Sequence, residues 1–83
     1  MSNSYDNIVD LVRYLVTALV DDSDSVSVEP TLDGGYLKVI ITTHPDDTGK
    51  VIGRGGRTIK SIRTLARAAA SSTQLSVDVD VEG

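Results

Sequence analysis

The chain has 83 residues and a mass of 8.8 kDa, which is enough for one small domain and too little for a multidomain enzyme. Hydrophobic residues make up 40% and charged residues 24% of the chain, so its composition is that of a folded domain rather than of a disordered one. The chain has no cysteine, which excludes disulfides, thiolate metal sites and a thiol nucleophile.

The first elements in the chain are predicted to be a helix and an edge strand. Apolar residues recur at spacings of three and four from Tyr5 to Val20, which indicates an amphipathic helix with Ser4 as its N-cap. Residues 26–32 alternate between apolar and polar side chains and predict a half-buried strand. Pro30 places this strand at an edge, because proline cannot donate a hydrogen bond to a neighbouring strand.

A second strand is predicted immediately after the first. Asp33-Gly34-Gly35 is typical of a hairpin turn that needs positive backbone angles. The β-branched and apolar run from Tyr36 to Thr43 suits a more central strand, and His44-Pro45 ends it.

The second half of the chain predicts two helices and a strand around a group of glycines. A short helical segment at residues 46–52 and the glycine group at 53–56 precede a longer helix from Arg57 to Ser71. One face of that helix is apolar and another is basic; the apolar residues are Ile59, Ile62, Ala66 and Ala69, and the basic ones are Lys60, Arg63 and Arg67. Residues 75–81 alternate strictly and predict a final strand with an acidic outer face.

The predicted order is therefore helix, strand, strand, short helix, glycine loop, helix, strand. This order favours an α+β, two-layer domain with the helices on one face of a three-stranded mixed sheet. The two helices between the second and third strands allow those strands to run parallel.

The net charge of −4 conceals a strong asymmetry along the chain. Between Thr48 and Val77 lie six of the eight basic residues and no acidic residue, so this stretch has a charge of +6 and the remainder −10. The six are Lys50, Arg54, Arg57, Lys60, Arg63 and Arg67. Such a split orients a polyanion towards one face, and a solvated basic helix face is the alternative interpretation.

The three glycines in residues 53–56 place bare backbone amides next to a helix N-terminus. The helix dipole and the nearby cations favour an anion there, and phosphate is the natural ligand. The Walker A pattern fails because Val51 stands where it needs glycine, and the dinucleotide pattern fails because Thr58 stands at its third glycine. A tight turn with a purely structural need for glycine remains the alternative.

The segment from Gly49 to Ile59, GKVIGRGGRTI, resembles the signature of KH domains, an I-G-x-x-G-x-x-I core. KH domains clamp four nucleotides of RNA backbone with this GxxG loop. A helix and a strand before the core are typical of the type II, prokaryotic arrangement, so the resemblance implies a single type II KH domain over residues 1–83. A lone KH domain of this length is similar to the small bacterial RNA-binding proteins of the KhpA type.

The resemblance also implies a function and partners. We expect a cytoplasmic protein that binds single-stranded RNA as an RNA chaperone or post-transcriptional regulator. The implied protein partner is a second copy or a larger Jag-like KH protein, with a link to cell shape and peptidoglycan homeostasis. The alternative is a protein-interaction or dimerisation module in which RNA binding is weak or supplied by the partner. Its proposed surface is a helix end with small side chains: Ala66, Ala68, Ala69 and Ala70.

Eight residues are predicted to bind RNA. Gly53 and Gly56 match the fixed glycines of the motif, Arg54 and Gly55 fill its variable pair, and Ile59 supports the core. The full predicted set is Lys50, Ile52, Gly53, Arg54, Gly55, Gly56, Arg57 and Lys60. Ile52 would line the groove, and the basic residues would contact phosphates.

Bases would lie in an apolar groove between the loop helices and the last strand. No aromatic residue follows the motif, so we expect weak stacking and weak sequence specificity. No residue set predicts catalysis, a cofactor, a metal or a small-molecule substrate, because His44 is the only histidine and no nucleophile accompanies it. The pair Asp46-Asp47 is interpreted as helix N-terminal charge.

Overall fold

A computed structural model describes residues 5–82. Three helices and three strands follow the predicted order, and the bounds are α1 (Asp6–Leu19), β1 (Ser27–Asp33), β2 (Tyr36–Thr42), α2 (Thr48–Ile52), α3 (Arg57–Ala69) and β3 (Ser76–Glu82). Short 3-10 turns occupy Ser23–Ser25, Pro45–Asp47 and Arg54–Gly56. The N-cap predicted at Ser4 lies outside the described residues, and Tyr5, at the N-cap position of α1, makes no side-chain capping bond.

The sheet is mixed, with the strand order β1-β2-β3. β1 pairs antiparallel with β2, with Asp33 opposite Tyr36, and β2 pairs parallel with β3, with Tyr36 opposite Ser76. The edge position of the strand containing Pro30 and the central position of β2 are both confirmed. In the hairpin turn only Gly34 has a positive φ, of 63°.

The core lies between the helices and one face of the sheet. Apolar side chains at period two on the strands meet the apolar stripes of α1 and α3, and burying each valine, leucine or isoleucine stabilises the fold by about 1.5–3 kcal/mol. The buried apolar residues are Ile8, Val9, Val12, Val16, Val28, Leu37, Val39, Ile41, Val51, Ile62, Ala66, Ala70, Val77 and Val79.

The core side of α3 differs from the prediction in one residue. Ala70 is buried and Ala69 is exposed, because the stripe continues from Ile62 and Ala66 at a spacing of four. The outer face of the sheet is acidic, with Glu29, Asp80 and Glu82 exposed.

This α+β topology is the predicted type II KH fold. Within residues 5–82, no helix is long and apolar enough to span a membrane.

Candidate nucleic-acid interface

The glycine loop is a compact turn between α2 and α3. The Gly53 N–H donates to the Gly49 carbonyl at 2.8 Å and so ends α2, and the Gly56 N–H donates to the Gly53 carbonyl at 3.1 Å. Gly53, Gly55 and Gly56 all have positive φ, between 65° and 78°. The loop therefore depends on backbone angles that residues with a side chain rarely adopt.

The glycines differ in the space around them. A Cβ atom on Gly53 would stand 2.7 Å from Thr58 Cβ and 2.8 Å from the Thr58 nitrogen, so only glycine fits there. A Cβ atom on Gly55 or Gly56 would meet no heavy atom within 4 Å. Gly53 is needed for packing inside the turn, whereas Gly55 and Gly56 face an open side from which a ligand can approach.

The N-terminus of α3 opens onto the same side. Gly56 is its N-cap residue, with left-handed backbone angles and no side-chain capping bond. The first N–H groups of a helix have no partner within the helix, and the helix dipole makes this end positive. The Gly56 N–H donates to the Gly53 carbonyl and the Arg57 N–H to the Arg54 carbonyl, so the helix dipole and the open approach, rather than these two amides, favour a phosphate group at this end.

Three cations stand near this turn without a competing partner. The side chains of Arg54, Arg57 and Lys60 are exposed, and none of them forms an ion pair within the part of the chain that the structure describes. Arg54 lies in the loop itself, and Arg57 and Lys60 lie on the first turn of α3. These side chains can therefore contact phosphates without first breaking an ion pair with a carboxylate.

Two apolar residues flank the loop. Ile52, the last residue of α2, has 37% of its surface exposed, which suits the groove-lining position predicted for it. Ile59 packs against the core, in line with its predicted supporting position.

Lys50 is the predicted RNA-binding residue whose charge is already paired with carboxylates of the protein. Its ammonium group donates to Asp21 and, at 3.0 Å, to Asp47. The buried Asp47 carboxylate also accepts the Asp22 N–H at 3.0 Å. This backbone hydrogen bond and the Lys50 contact lower the pKa of Asp47, and the hydrogen bonds to the two carboxylates raise the pKa of Lys50. Sequence reasoning missed this cluster, because Asp21 and Asp22 lie 25 or more residues before Asp47 and Lys50 and no periodicity connects the two pairs.

Arg63 and Arg67 are also engaged, along the free edge of β3. Arg63 donates through Nε and Nη2 to the Val79 carbonyl at 3.2 and 2.9 Å, and Arg67 Nε donates to the Val77 carbonyl at 3.0 Å. Asp78 Oδ1 lies 3.0 Å from Arg63 Nε and accepts the Val79 N–H at 3.0 Å. Half of the six basic residues in the acid-free stretch are therefore committed within the protein, and half are available to a ligand.

The polar residues next to α2 serve the local structure. His44 Nδ1 accepts the Asp46 N–H at 3.1 Å and so caps the 3-10 turn. No group of three His, Cys, Asp or Glu residues that could hold a metal ion occurs within residues 5–82.

Comparison with known proteins agrees with this geometry. The family model described as "KhpA/KhpB, KH domain" matches residues 9–81. The protein named "RNA-binding protein KhpA" from Halalkalibacterium halodurans is 44% identical over 71 residues, which cover 86% of this chain and 93% of that protein. Proteins of the same name from Mycobacterium tuberculosis and Bacillus subtilis are 44% and 38% identical over 72 residues, which cover 87% of this chain and 89% of each relative. The chain belongs to the KhpA/KhpB family of KH-domain proteins.

Proposed function

We propose that this protein binds single-stranded RNA by clamping its phosphate backbone at the loop of residues 53–56. The observation that supports the proposal best is the open loop at the N-terminus of α3, surrounded by three cations that form no ion pair within residues 5–82. The name of the relatives, RNA-binding protein KhpA, supports the same function. Phosphates would contact Arg54, Arg57 and Lys60. The RNA backbone would approach at Gly55 and Gly56, while Gly53 shapes the turn.

Lys50 and Ile52 have different parts in this proposal. Because Lys50 is bound to two carboxylates, its role is to fix α2 and thereby position the loop, rather than to contact RNA first. The exposed Ile52 side chain would give the sugar or base next to the loop an apolar surface.

The finer cellular role rests on the family resemblance. We propose a cytoplasmic RNA chaperone or post-transcriptional regulator that works as a homodimer or with a larger Jag-like KH partner, in a process linked to cell shape and peptidoglycan homeostasis. The proposal includes no catalytic step.

The first test places negative charge in the loop. Arg54→Asp combined with Gly55→Asp is expected to weaken binding of a fluorescent single-stranded RNA by at least about tenfold, because two carboxylates would face phosphates. Fluorescence anisotropy measures the affinity, and circular dichroism checks the fold. Aspartate tolerates the φ of 65° at Gly55 better than most residues do.

The matched control is Arg54→Asn combined with Gly55→Asn, which has the same shape and backbone demand without the charge. This variant should lose less affinity than the aspartate pair. Normal RNA binding by a folded aspartate variant would contradict the proposed site.

A second candidate function is self-association through the outer face of α3. Leu65 is 47% exposed, and Ala68 and Ala69 continue its stripe at spacings of three and four. The alanine surface proposed from sequence is narrower than expected, since Ala66 and Ala70 are buried in the core. Small side chains beside an exposed leucine would let a second helix approach closely.

Leu65→Asp tests the second candidate. If α3 forms the contact, this variant should weaken dimer formation by more than about tenfold, because a leucine loses burial worth roughly 1.5–3 kcal/mol and a charge replaces it. Sedimentation velocity over a concentration series measures the dimer. Leu32→Asp is the matched control, since Leu32 is 46% exposed on β1. A wild-type monomer at every concentration would argue against self-association.

A further inference from the structure

A cleft lies between the C-terminal end of α3 and the first residues of β3. Its volume is about 420 Å³, and its lining includes Tyr36, Arg67, Leu75, Val77 and Asp78. It contains an aromatic ring although every tyrosine precedes the glycine motif in sequence. The parallel pairing of β2 with β3 sets Tyr36 opposite Ser76 and so brings the ring to this end of the sheet.

Two groups in the cleft can stack on a flat ring. Tyr36 is 44% exposed, and the Arg67 side chain is 57% exposed while its Nε is fixed on the Val77 carbonyl at 3.0 Å. Unpaired RNA bases stack on tyrosine rings and on arginine guanidinium planes. Because a backbone hydrogen bond already orients the Arg67 guanidinium, less conformational entropy would be lost when a base binds.

Asp78 adds a hydrogen-bond acceptor beside these two groups. Its contacts with Arg63, with Arg67 and with the Val79 N–H all involve Oδ1. Oδ2 has none of these contacts and can accept a hydrogen from the amino or imino group of a base. The cleft thus combines two stacking groups with one acceptor, which is the chemistry of a nucleobase site.

The cleft lies on the same helix as the loop. Arg57 and Arg67 are ten residues apart on α3, a rise of about 15 Å, so a strand clamped at the loop can reach the cleft within a few nucleotides. Between the two, Arg63 and Asp78 occupy the free edge of β3 near Val79, where a base would otherwise bond to the strand. At the start of β3, Arg67 occupies the Val77 carbonyl but its side chain is 57% exposed, so a base can stack on the guanidinium there instead of bonding to the strand.

We propose that this cleft binds an unpaired nucleobase of the RNA strand whose backbone the loop clamps, with Tyr36 and Arg67 as stacking surfaces and Asp78 as the acceptor. The inference rests on the proposed function. Base stacking would then be stronger than the sequence predicts, because Tyr36 reaches the cleft although it precedes the glycine motif.

The test compares two RNA decamers, one of adenosines and one with abasic riboses in place of the bases. Both have the same phosphates, so the loop contacts are common to them. Wild type should bind the adenosine decamer about tenfold more tightly than the abasic one, since stacking on one aromatic ring has an effect of that order. Tyr36→Ala should remove most of this preference and leave the affinity for the abasic decamer unchanged.

Two further variants serve as controls. Tyr36→Phe preserves the ring and should keep the preference, and Tyr14→Ala removes a 72% exposed tyrosine on α1 and should change nothing. If Tyr36→Ala keeps the wild-type preference while the loop aspartate variant loses binding, the cleft proposal is wrong and the proposed function stands. If the loop variant binds both decamers as wild type does, the proposed function itself fails.

Discussion

Asp47 shows how one side chain can hold together segments distant in sequence. Its buried carboxylate accepts one backbone N–H, from Asp22, and one ammonium hydrogen, from Lys50. The first bond fixes the connection that follows α1, and the second fixes α2, which leads directly into the glycine loop. A buried carboxylate without these partners would be strongly destabilising, so the three groups act as a unit.

Asp47→Asn should change how stability depends on pH. The folded pKa of Asp47 is lowered, so its contribution is present above the ordinary aspartate pKa of about 4 and is lost as the pH falls through the folded value. The variant should therefore unfold at less urea than wild type at pH 6, and the difference should shrink towards pH 2.5. Lys50, whose pKa is raised, loses its contribution only at strongly alkaline pH.

Urea unfolding followed by circular dichroism at several pH values measures this effect. Asp46→Asn is the matched control, because the Asp46 side chain is 92% exposed and should leave the curve unchanged. A difference between wild type and Asp47→Asn that stays constant with pH would show that the charge of the carboxylate is not what stabilises the fold.

At the scale of elements, local patterns were sufficient for the framework. The period of the apolar residues predicts α1, α3, β1 and β3, a β-branched apolar run predicts β2, and Pro30 correctly predicts the edge position of β1. The glycine spacing predicts the loop, whose positive φ angles the structure confirms. These features depend on residues that are adjacent in sequence or that recur at a regular spacing, and both patterns can be read from one sequence.

Contacts between elements were not predictable in the same way. The basic stripe of α3 indicates a charged face, but it does not show whether that face meets solvent or the edge of a strand. Arg63 and Arg67 reach backbone carbonyls of β3 because α3 lies beside that edge, and Tyr36 reaches the cleft because β2 pairs in parallel with β3. Each of these contacts can be predicted only when the packing of the two elements against each other is known.

Each edge of the sheet has a feature that disfavours pairing with another strand. Pro30 removes a donor from β1, and arginine and aspartate side chains occupy backbone groups of Val77 and Val79 on β3. Occupied edges disfavour strand pairing with another chain. Association with a partner is therefore expected to use the helical layer, which is consistent with the exposed stripe around Leu65.

At the scale of the whole molecule, charge is separated between the two layers. Among the described residues, the cations that form no ion pair belong to the loop and α3, and the outer face of the sheet has Glu29, Asp80 and Glu82. A polyanion is attracted to the helical layer and repelled from the sheet, so the charge pattern orients a bound RNA strand as well as attracting it. The overall negative charge of −4 is thus compatible with RNA binding.

The salt dependence of RNA binding measures how many cations take part. For a single strand, the logarithm of affinity falls with the logarithm of salt concentration with a slope of about −0.7 per phosphate contact. Contacts from Arg54, Arg57 and Lys60 alone give a slope of roughly −2, whereas all six basic residues of the stretch would give roughly −4. We expect the smaller value, because the other three are bound to carboxylates or to backbone carbonyls.

Two charge-removing variants make this prediction specific. Lys60→Gln should reduce the steepness by about 0.7, and Lys38→Gln, which removes a cation paired with Asp80 on the sheet, should leave it unchanged. Anisotropy titrations of one RNA from about 50 to 200 mM salt provide the slopes. A wild-type slope near −4 would mean that RNA displaces the internal partners of Lys50, Arg63 and Arg67. The cluster around Asp47 and the edge of β3 would then have to open when RNA binds.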